Sequence, residues 1–233
     1  MKTPPHPIAT SLFSVCLILP LSATAGADTV LDDFESYRDG QMIGISASST
    51  PWRRFGDATN DDLIVTGVQG RVINGALSAQ YCVYWPNRFG SIRFAFPEPT
   101  DLSSYIAASC TIKSTDIVHA ETDGNMPDPI TYTDVALVIS DGSTTYEAAV
   151  PVPLSREPQT VTFYLTEGIM LTGQHNKINP STGDEVSAFS KVISSVDNIG
   201  LMFRSRQGQY TETIVIDDFT LLSQQVATRK LVE

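Results

Sequence analysis

Two short acidic segments with a central aromatic residue lie near opposite ends of the chain and could hold a cation. One reads Leu-Asp-Asp-Phe-Glu over residues 31–35, and the other reads Ile-Asp-Asp-Phe-Thr-Leu over residues 216–221. If the two ends pair as neighbouring strands, their carboxylates meet at one edge of the fold. Carboxylate oxygens are hard ligands that suit calcium better than other metals. The segments therefore predict a calcium site where the ends of the chain meet.

Aromatic and arginine residues form two further groups whose chemistry suits a sugar ligand. The first group is Trp52, Arg53, Arg54 and Phe55, and the second is Tyr84, Trp85, Asn87 and Arg88. Flat aromatic rings cover the apolar faces of pyranose rings, and planar guanidinium groups bind oxygen atoms with good geometry. Trp52 stands in a polar stretch, so we expect its ring at the surface. Trp85 continues the inward parity of the preceding strand, so packing in the core or at its rim is the alternative to binding.

Catalytic motifs are much weaker. Glu121, Asp123 and Asp128 stand near His119 in one polar stretch, but they form no carboxylate pair of the kind that glycoside hydrolases use. Four residues could supply parts of a lyase site, yet no spacing connects them: His119, Tyr132, His175 and Lys177. No Gly-x-Ser-x-Gly elbow is present. A polysaccharide lyase, a glycoside hydrolase and a structural or adhesive surface protein are the alternatives to a sugar-binding protein.

The first 27 residues have the pattern of a cleavable secretory signal. Lys2 precedes an apolar run over residues 8–21, which is followed by small residues, and we expect cleavage after Ala27. Pro20 interrupts the run, which is also shorter than the roughly 20 residues that span a bilayer. We therefore expect a secreted or periplasmic protein with one domain over residues 28–223 and a C-terminal tail over 224–233.

Charge and cysteine content restrict the partners. The 26 acidic and 15 basic residues give a net charge of −11, which disfavours nucleic acid and anionic membranes because both would be repelled. We expect a monomer. Cys82 and Cys110 remain after the signal, and an oxidising compartment would allow a disulfide between them. Strand parity places the two cysteines on different faces, so the sequence does not decide whether they form a disulfide. Two isolated cysteines show no zinc-like spacing.

Short runs rich in Val, Ile, Thr, Phe and Tyr recur between Gly, Pro, Asn and Asp clusters, which indicates an all-β chain. The runs predict strands at 29–36, 62–67, 75–84, 90–96, 105–117, 133–140, 145–151, 159–165, 192–204 and 212–222. A two-layer antiparallel β-sandwich accommodates them. Residues 141–143 and 207–209 are predicted hairpin turns. Alternation places Leu201 and Phe203 inward, and it places Arg204 and Arg206 on the opposite face.

Several short motifs occur in an order that resembles secreted carbohydrate-binding modules of the galactose-binding-like jelly-roll superfamily. They are Leu-Asp-Asp-Phe-Glu at 31–35, Trp52, Gly-Ala-Leu at 75–77, Pro97 through Asp-Leu-Ser-Ser-Tyr at 101–105, Val-Asp-Asn-Ile-Gly at 196–200 and Ile-Asp-Asp-Phe at 216–219. The resemblance implies a jelly roll that binds a polysaccharide without catalysis, on a concave sheet face or at loop tips. It also implies a structural calcium near the paired terminal strands.

Mapped onto this chain, the resemblance makes Glu35 and Asp217 the first candidates for calcium ligands and Asp33 and Asp218 the second. Backbone carbonyls and water would complete the six to eight oxygens that calcium requires. The alternative is that these acids lie in solvent or cap an edge strand. The expected sugar-contacting residues are Trp52, Arg53, Tyr84, Trp85, Arg88 and Arg204.

Overall fold

Strands make up most of the regular structure in the parts of the chain that the computed structural model describes. These parts are residues 27–44, 50–56, 63–84, 89–119, 133–172, 187–205 and 210–223. The strands are β1 (Thr29–Asp32), β2 (Trp52–Gly56), β3 (Leu63–Thr66), β4 (Ser78–Tyr84), β5 (Phe89–Thr100), β6 (Tyr105–His119), β7 (Thr133–Ser140), β8 (Thr145–Ala148), β9 (Val152–Pro153), β10 (Gln159–Tyr164), β11 (Met170–Thr172), β12 (Val196–Ser205) and β13 (Tyr210–Ser223). A short helix, α1 (Phe189–Ile193), precedes β12.

The strands form two sheets whose strand pairings are all antiparallel. Sheet A has the order β10-β6-β13-β4-β3, and β1 also pairs with β13. Sheet B has the order β11-β8-β7-β12-β5-β2, and β9 also pairs with β7. The predicted two-layer antiparallel β-sandwich of jelly-roll type is confirmed.

Apolar side chains that alternate along the strands of both sheets fill the space between the layers. In β12 the side chains of Ile199, Leu201 and Phe203 are fully buried, as the alternation predicted for Leu201 and Phe203. The Phe203 ring stacks on Tyr81 from β4 of sheet A, with ring centroids 5.2 Å apart. Because a β-strand points successive side chains to opposite faces, the residues between these core positions form the outer face of each sheet.

The two ends of the described chain pair as predicted. β1 lies antiparallel to β13, with Thr29 opposite Leu221 and Asp32 opposite Phe219. The ladder is irregular at both acidic segments: the register shifts after Val30 in β1, and β13 shifts against β6 beyond Asp217. Each segment thus contains a bulge, a place where one strand carries residues that the ladder leaves unpaired.

The structure differs from the predicted elements at several points. Strand β2 covers residues that were predicted to lie in a loop, and the short strands β9 and β11 were not predicted. The first residues of the predicted strand 192–204 belong instead to α1 and the turn after it. Trp52, Phe55 and Arg53 are therefore strand residues, and their directions follow strand alternation.

One predicted hairpin is confirmed and one is wrong. Ser140 pairs with Thr145 across the turn at residues 141–143, where the Asp141 carboxylate accepts hydrogen bonds from the backbone of Ser143 and Thr144. No hairpin joins β12 and β13, because β12 belongs to sheet B and β13 to sheet A. The chain crosses between the layers there, which turn residues in the sequence do not distinguish from a hairpin.

The two cysteines of the described chain are not bonded to each other. Cys82 lies on β4 and Cys110 on β6, with β13 between their strands, and no disulfide joins them. The predicted signal peptide, apart from Ala27, and the tail lie outside the described residues. Within the described parts, no helix has both the length and the apolar character needed to cross a membrane.

Candidate functional site

The outer face of sheet B gathers polar and aromatic side chains on neighbouring strands. Strand pairing places Arg53 of β2 opposite Arg93 of β5, and Phe55 opposite Ser91. Arg93 in turn lies opposite Gly200 of β12. These residues alternate with core residues along their strands, so their side chains project away from the core.

The side chains in the middle of this face are buried. Ala136 and Val138 of β7 are fully buried, and so is Met202 of β12. Arg204 of β12 forms an ion pair with Glu147 of β8, and the two side chains meet above β7, which separates their strands. Arg204 thus has a carboxylate partner within the protein. The second carboxylate oxygen of Glu147 is buried and accepts no hydrogen bond.

The β2–β5 edge of the same face is more accessible. The side chain of Phe55 is 42% exposed, and the Arg93 guanidinium carbon lies 4.4 Å from the centroid of its ring. Arg93 also donates hydrogen bonds to the Asn198 side-chain oxygen at 3.2 Å and to the Ser91 hydroxyl at 3.3 Å. Burial lowers the pKa of Arg93 to about 10, so the guanidinium stays charged at neutral pH.

Arg53 completes this edge. Its Nη1 donates to the backbone carbonyls of Trp52, at 2.7 Å, and of Thr50. These bonds hold the guanidinium beside the strand instead of leaving it free in solvent. We call Arg53, Phe55 and Arg93, with their neighbours Ser91 and Asn198, the β2–β5 patch. It combines a partly exposed aromatic ring with two guanidinium groups, and these two kinds of group suit a sugar-binding site.

Trp52 is not at the surface, and that prediction is wrong. Its side chain is 0% exposed and stacks on Phe34 with ring centroids 5.6 Å apart. Its indole Nε1 donates to the Asp32 carboxylate at 2.7 Å. The reason is the alternation of β2: Trp52 lies opposite Phe94, which packs against the core, while Arg53 and Phe55 point outward.

The structure brings only part of the predicted sugar-contacting set together. Arg53 and Arg204 share the outer face of sheet B, but Arg204 lies four residues along β12 from the position opposite Arg93. Tyr84 ends β4 in sheet A, so it lies in the other layer. Trp85 and Arg88 lie outside the described residues. So do Glu121, Asp123, Asp128, Tyr132, His175 and Lys177, the residues weighed for catalysis, together with Arg206, and the side chain of His119 is not described.

Phe55 and Arg93 are the two residues of the patch that sequence reasoning passed over. Phe55 stood in a noted group but was not chosen, and Arg93 was not singled out. Reading residues 52–56 as a strand would have placed Arg53 and Phe55 on one face through their spacing of two. No local signal in the sequence identifies β5 as the neighbour of β2, so Arg93 could not have been found in this way.

The carboxylates predicted to bind calcium accept hydrogen bonds from N–H and O–H groups of the protein. Glu35 accepts hydrogen bonds from the backbone N–H groups of Ala76 and Leu77, at 2.8 and 3.0 Å. Asp217, which is 1% exposed, accepts from the Asn74 backbone at 3.0 Å and from the Ser78 hydroxyl at 2.7 Å. Both carboxylates therefore bind the segment 74–78, and they fasten it to the two ends of the chain.

The remaining two candidates are also hydrogen bonded: Asp33 accepts from the backbone N–H of Glu35 and Asp218 from the side-chain amide of Asn74. Burial raises the pKa of Asp217 above its ordinary value, against the lowering effect of its donors. Among the described residues, no three His, Cys, Asp or Glu side chains stand close enough to hold a metal. N–H and O–H donors bind one or both oxygens of each of these carboxylates, and calcium stays a prediction from the sequence.

No protein-family model and no curated protein sequence matches this chain. Solved structures similar to this chain include carbohydrate-binding modules. One is the family 11 module of the cellulosomal cellulase Lic26A-Cel5E of Clostridium thermocellum, with 10% identity, a TM-score of 0.46 and coverage of 81% of this chain and 96% of the module. Another is a family 28 module described as specific for non-crystalline cellulose, with 9% identity, a TM-score of 0.48 and coverage of 79% and 97%.

An agarase, AgWH50C, is also similar, with 12% identity and a TM-score of 0.49. The match covers 85% of this chain but 25% of the agarase, so it corresponds to one part of a much longer protein.

Proposed function

We propose that this protein binds a polysaccharide without transforming it, through the β2–β5 patch on the outer face of sheet B. The observation that supports the proposal most directly is the partly exposed ring of Phe55 beside the guanidinium groups of Arg53 and Arg93. The patch lies on a sheet, which holds ligand-contacting groups in more fixed positions than a loop does.

The chemistry of the patch suits a pyranose ring. The apolar face of a sugar packs on an aromatic ring, and its hydroxyl oxygens accept hydrogen bonds from neighbouring guanidinium groups. Arg93 covers part of the Phe55 ring and is held by Ser91 and Asn198, so its position is set before a ligand arrives. Fixing donors in advance reduces the entropy that binding must overcome.

Two further parts of the proposal rest on the sequence alone. The signal over residues 1–27 is the basis for proposing a secreted or periplasmic location. The net charge of −11 is the basis for excluding nucleic acid and anionic membranes as partners. A monomer is the expected state.

The test is binding of the mature chain to a panel of soluble polysaccharides by affinity electrophoresis, followed by calorimetry on those that bind. In Phe55→Ala the stacking surface is lost. We expect affinity to fall roughly fivefold, because an aromatic contact contributes about 1 kcal/mol. Tyr164→Ala is the matched control, since Tyr164 is 43% exposed on the outer face of sheet A.

Equal losses for Phe55→Ala and Tyr164→Ala would show that the patch is not the site. Retention of no polysaccharide at millimolar concentration would contradict the proposed function. Circular dichroism of each variant checks that the fold is unchanged.

A further inference from the structure

We infer that the β2–β5 patch selects an acidic polysaccharide, one whose sugars carry carboxylate or sulfate groups. The inference rests on the proposed function and specifies its ligand class. It is carried by two arginines that occupy opposite positions in a strand pair and have no acidic partner among the described residues.

Arg53 and Arg93 lie directly opposite each other in the β2–β5 ladder. The Cβ atoms of residues opposite each other are about 5 Å apart, and like charges in such pairs destabilise the sheet. If these two positions served only to stabilise the sheet, a neutral or an oppositely charged pair of residues would be more favourable. An anion between the two guanidinium groups would remove the repulsion.

Within the described parts of the chain, the partners of both arginines are neutral. Arg93 contacts a hydroxyl, a side-chain amide and an aromatic ring, and Arg53 donates to two backbone carbonyls. Hydrogen bonds of this kind satisfy individual N–H groups but leave the charge uncompensated. A partly buried charge without a counter-ion is unfavourable, and a bound anion would offset that cost. The lowered pKa of Arg93 has the same physical origin.

Arg204 provides a comparison within the same sheet face. Its guanidinium is paired with the buried carboxylate of Glu147, so this pair is neutral as a whole. On the outer face of sheet B, the charge of Arg204 is therefore balanced by an acid of the same face. At the β2–β5 edge, two arginines have no acidic partner among the described residues. The positive charge at the edge is a local property, because the whole chain carries a net charge of −11.

A bound acidic sugar would use both parts of the patch. A carboxylate or sulfate accepts two parallel N–H bonds from one guanidinium, and such charge-assisted bonds are about twice as strong as neutral ones. The sugar ring would pack on Phe55. The negative charge of the rest of the protein is screened beyond about 8 Å at physiological ionic strength, so it does not cancel this attraction.

The experiment compares ligands that differ only in charge. Polygalacturonate is tested against its methyl ester, and a sulfated galactan against the same galactan after desulfation. We expect the charged member of at least one pair to bind about tenfold more tightly. This preference should shrink when salt is raised from about 0.05 M to about 0.5 M, because screening weakens exposed charge pairs.

Variants then locate the charge. We expect Arg93→Gln and Arg53→Gln each to remove most of the preference for the charged ligand. Arg71→Gln is the control, because it changes the net charge equally but lies over the outer face of sheet A, where Arg71 donates to Gln80. Arg71→Gln should leave the preference unchanged. The ligand pairs themselves need no variant, so the inference can be tested even where a substitution prevents folding.

The outcomes separate the two proposals. A salt-sensitive preference for the charged polysaccharide that Arg93→Gln abolishes supports the inference. Equal binding of charged and uncharged members, with loss of binding in Phe55→Ala, overturns the inference and leaves the proposed function standing. A preference that survives Arg53→Gln and Arg93→Gln also overturns it. Absence of binding to every polysaccharide overturns both.

Discussion

Replacing Asp32 by alanine should destabilise the fold far more than the same change at its neighbour Asp33. Asp32 is a buried carboxylate at the end of β1 that accepts three hydrogen bonds from Phe34, Tyr37 and Trp52. Asp33 is exposed and accepts one bond, from the backbone of Glu35. The two substitutions remove the same side chain from adjacent positions, so the comparison isolates burial and hydrogen bonding.

The magnitude follows from the donors that Asp32→Ala would leave behind. The indole N–H of Trp52 and the backbone N–H of Phe34 belong to fully buried residues, and each unsatisfied buried donor costs about 1–3 kcal/mol. The half-buried Tyr37 hydroxyl can turn to water and adds little. We therefore expect a loss of about 2–6 kcal/mol, against less than about 1 kcal/mol for Asp33→Ala. Typical domains have about 5–15 kcal/mol in total.

Urea unfolding followed by tryptophan fluorescence measures both losses, and the slope with denaturant shows whether unfolding remains two-state. A second readout is the pKa of Tyr37, which burial and the hydrogen bond to Asp32 raise above its ordinary value. In Asp32→Ala that pKa should fall. Equal losses for the two variants, or an unchanged pKa of Tyr37, would refute the role given to Asp32.

Three other predictions concern backbone spacing, thiols and calcium. Gly200→Ala should cost about 1–3 kcal/mol in urea unfolding, because a Cβ there would lie 2.0 Å from the carbonyl oxygen of Ile92; a neutral substitution would contradict the close approach of β12 and β5. In native protein at mildly alkaline pH, alkylation and peptide mass spectrometry should find Cys82 modified and Cys110 intact, since Cys110 is buried and burial raises the pKa of its thiol to about 12; a disulfide between them would refute this. If calcium binds the carboxylates of the two acidic segments as the sequence predicts, millimolar calcium should raise the melting temperature by more than about 2 °C; an unchanged melting temperature would contradict the calcium site.

The sandwich was predictable because its signal is repeated in many strands. Alternating apolar residues identified the core positions of β12, and the echoing segments identified β1 and β13 as partners. The hairpin at residues 141–143 was also predictable, because Asp and Gly are residue types that favour turns. The core alternation and the hairpin are decided by residues close together in sequence, and the pairing of β1 with β13 was indicated by the repeat of one short motif.

The patch was not predictable for the opposite reason. The polar residues of β2 made this segment look like a loop in the sequence. Its inward side chain, Trp52, donates a hydrogen bond to Asp32, which lies twenty residues earlier in the chain. Arg93 reaches Phe55 only through the pairing of β2 with β5, which is a contact between distant parts of the chain. A single arginine on a strand carries no sign of whether its neighbour will be an acid, an aromatic ring or a second arginine.

The paired Asp-Asp-Phe segments are best explained by the bulges in which they occur. A bulge leaves backbone N–H groups without ladder partners, and a buried unpaired N–H is costly. The carboxylate of Asp32 accepts the N–H of Phe34, and that of Asp217 accepts the N–H of Asp218.

The residues after these two carboxylates also have unusual backbone conformations: Phe34 and Asp218 have φ values of 61° and 51°, in the left-handed region that non-glycine residues seldom adopt. The surrounding packing compensates for this strain, because Phe34 and Phe219 are both fully buried against Trp52. The first aspartate of each segment thus accepts a backbone N–H close to a bulge, from the turn after β1 in one segment and from within β13 in the other, and the phenylalanine of each segment packs in the core. The first aspartate and the phenylalanine of each segment therefore have a structural role at the paired ends of the described chain.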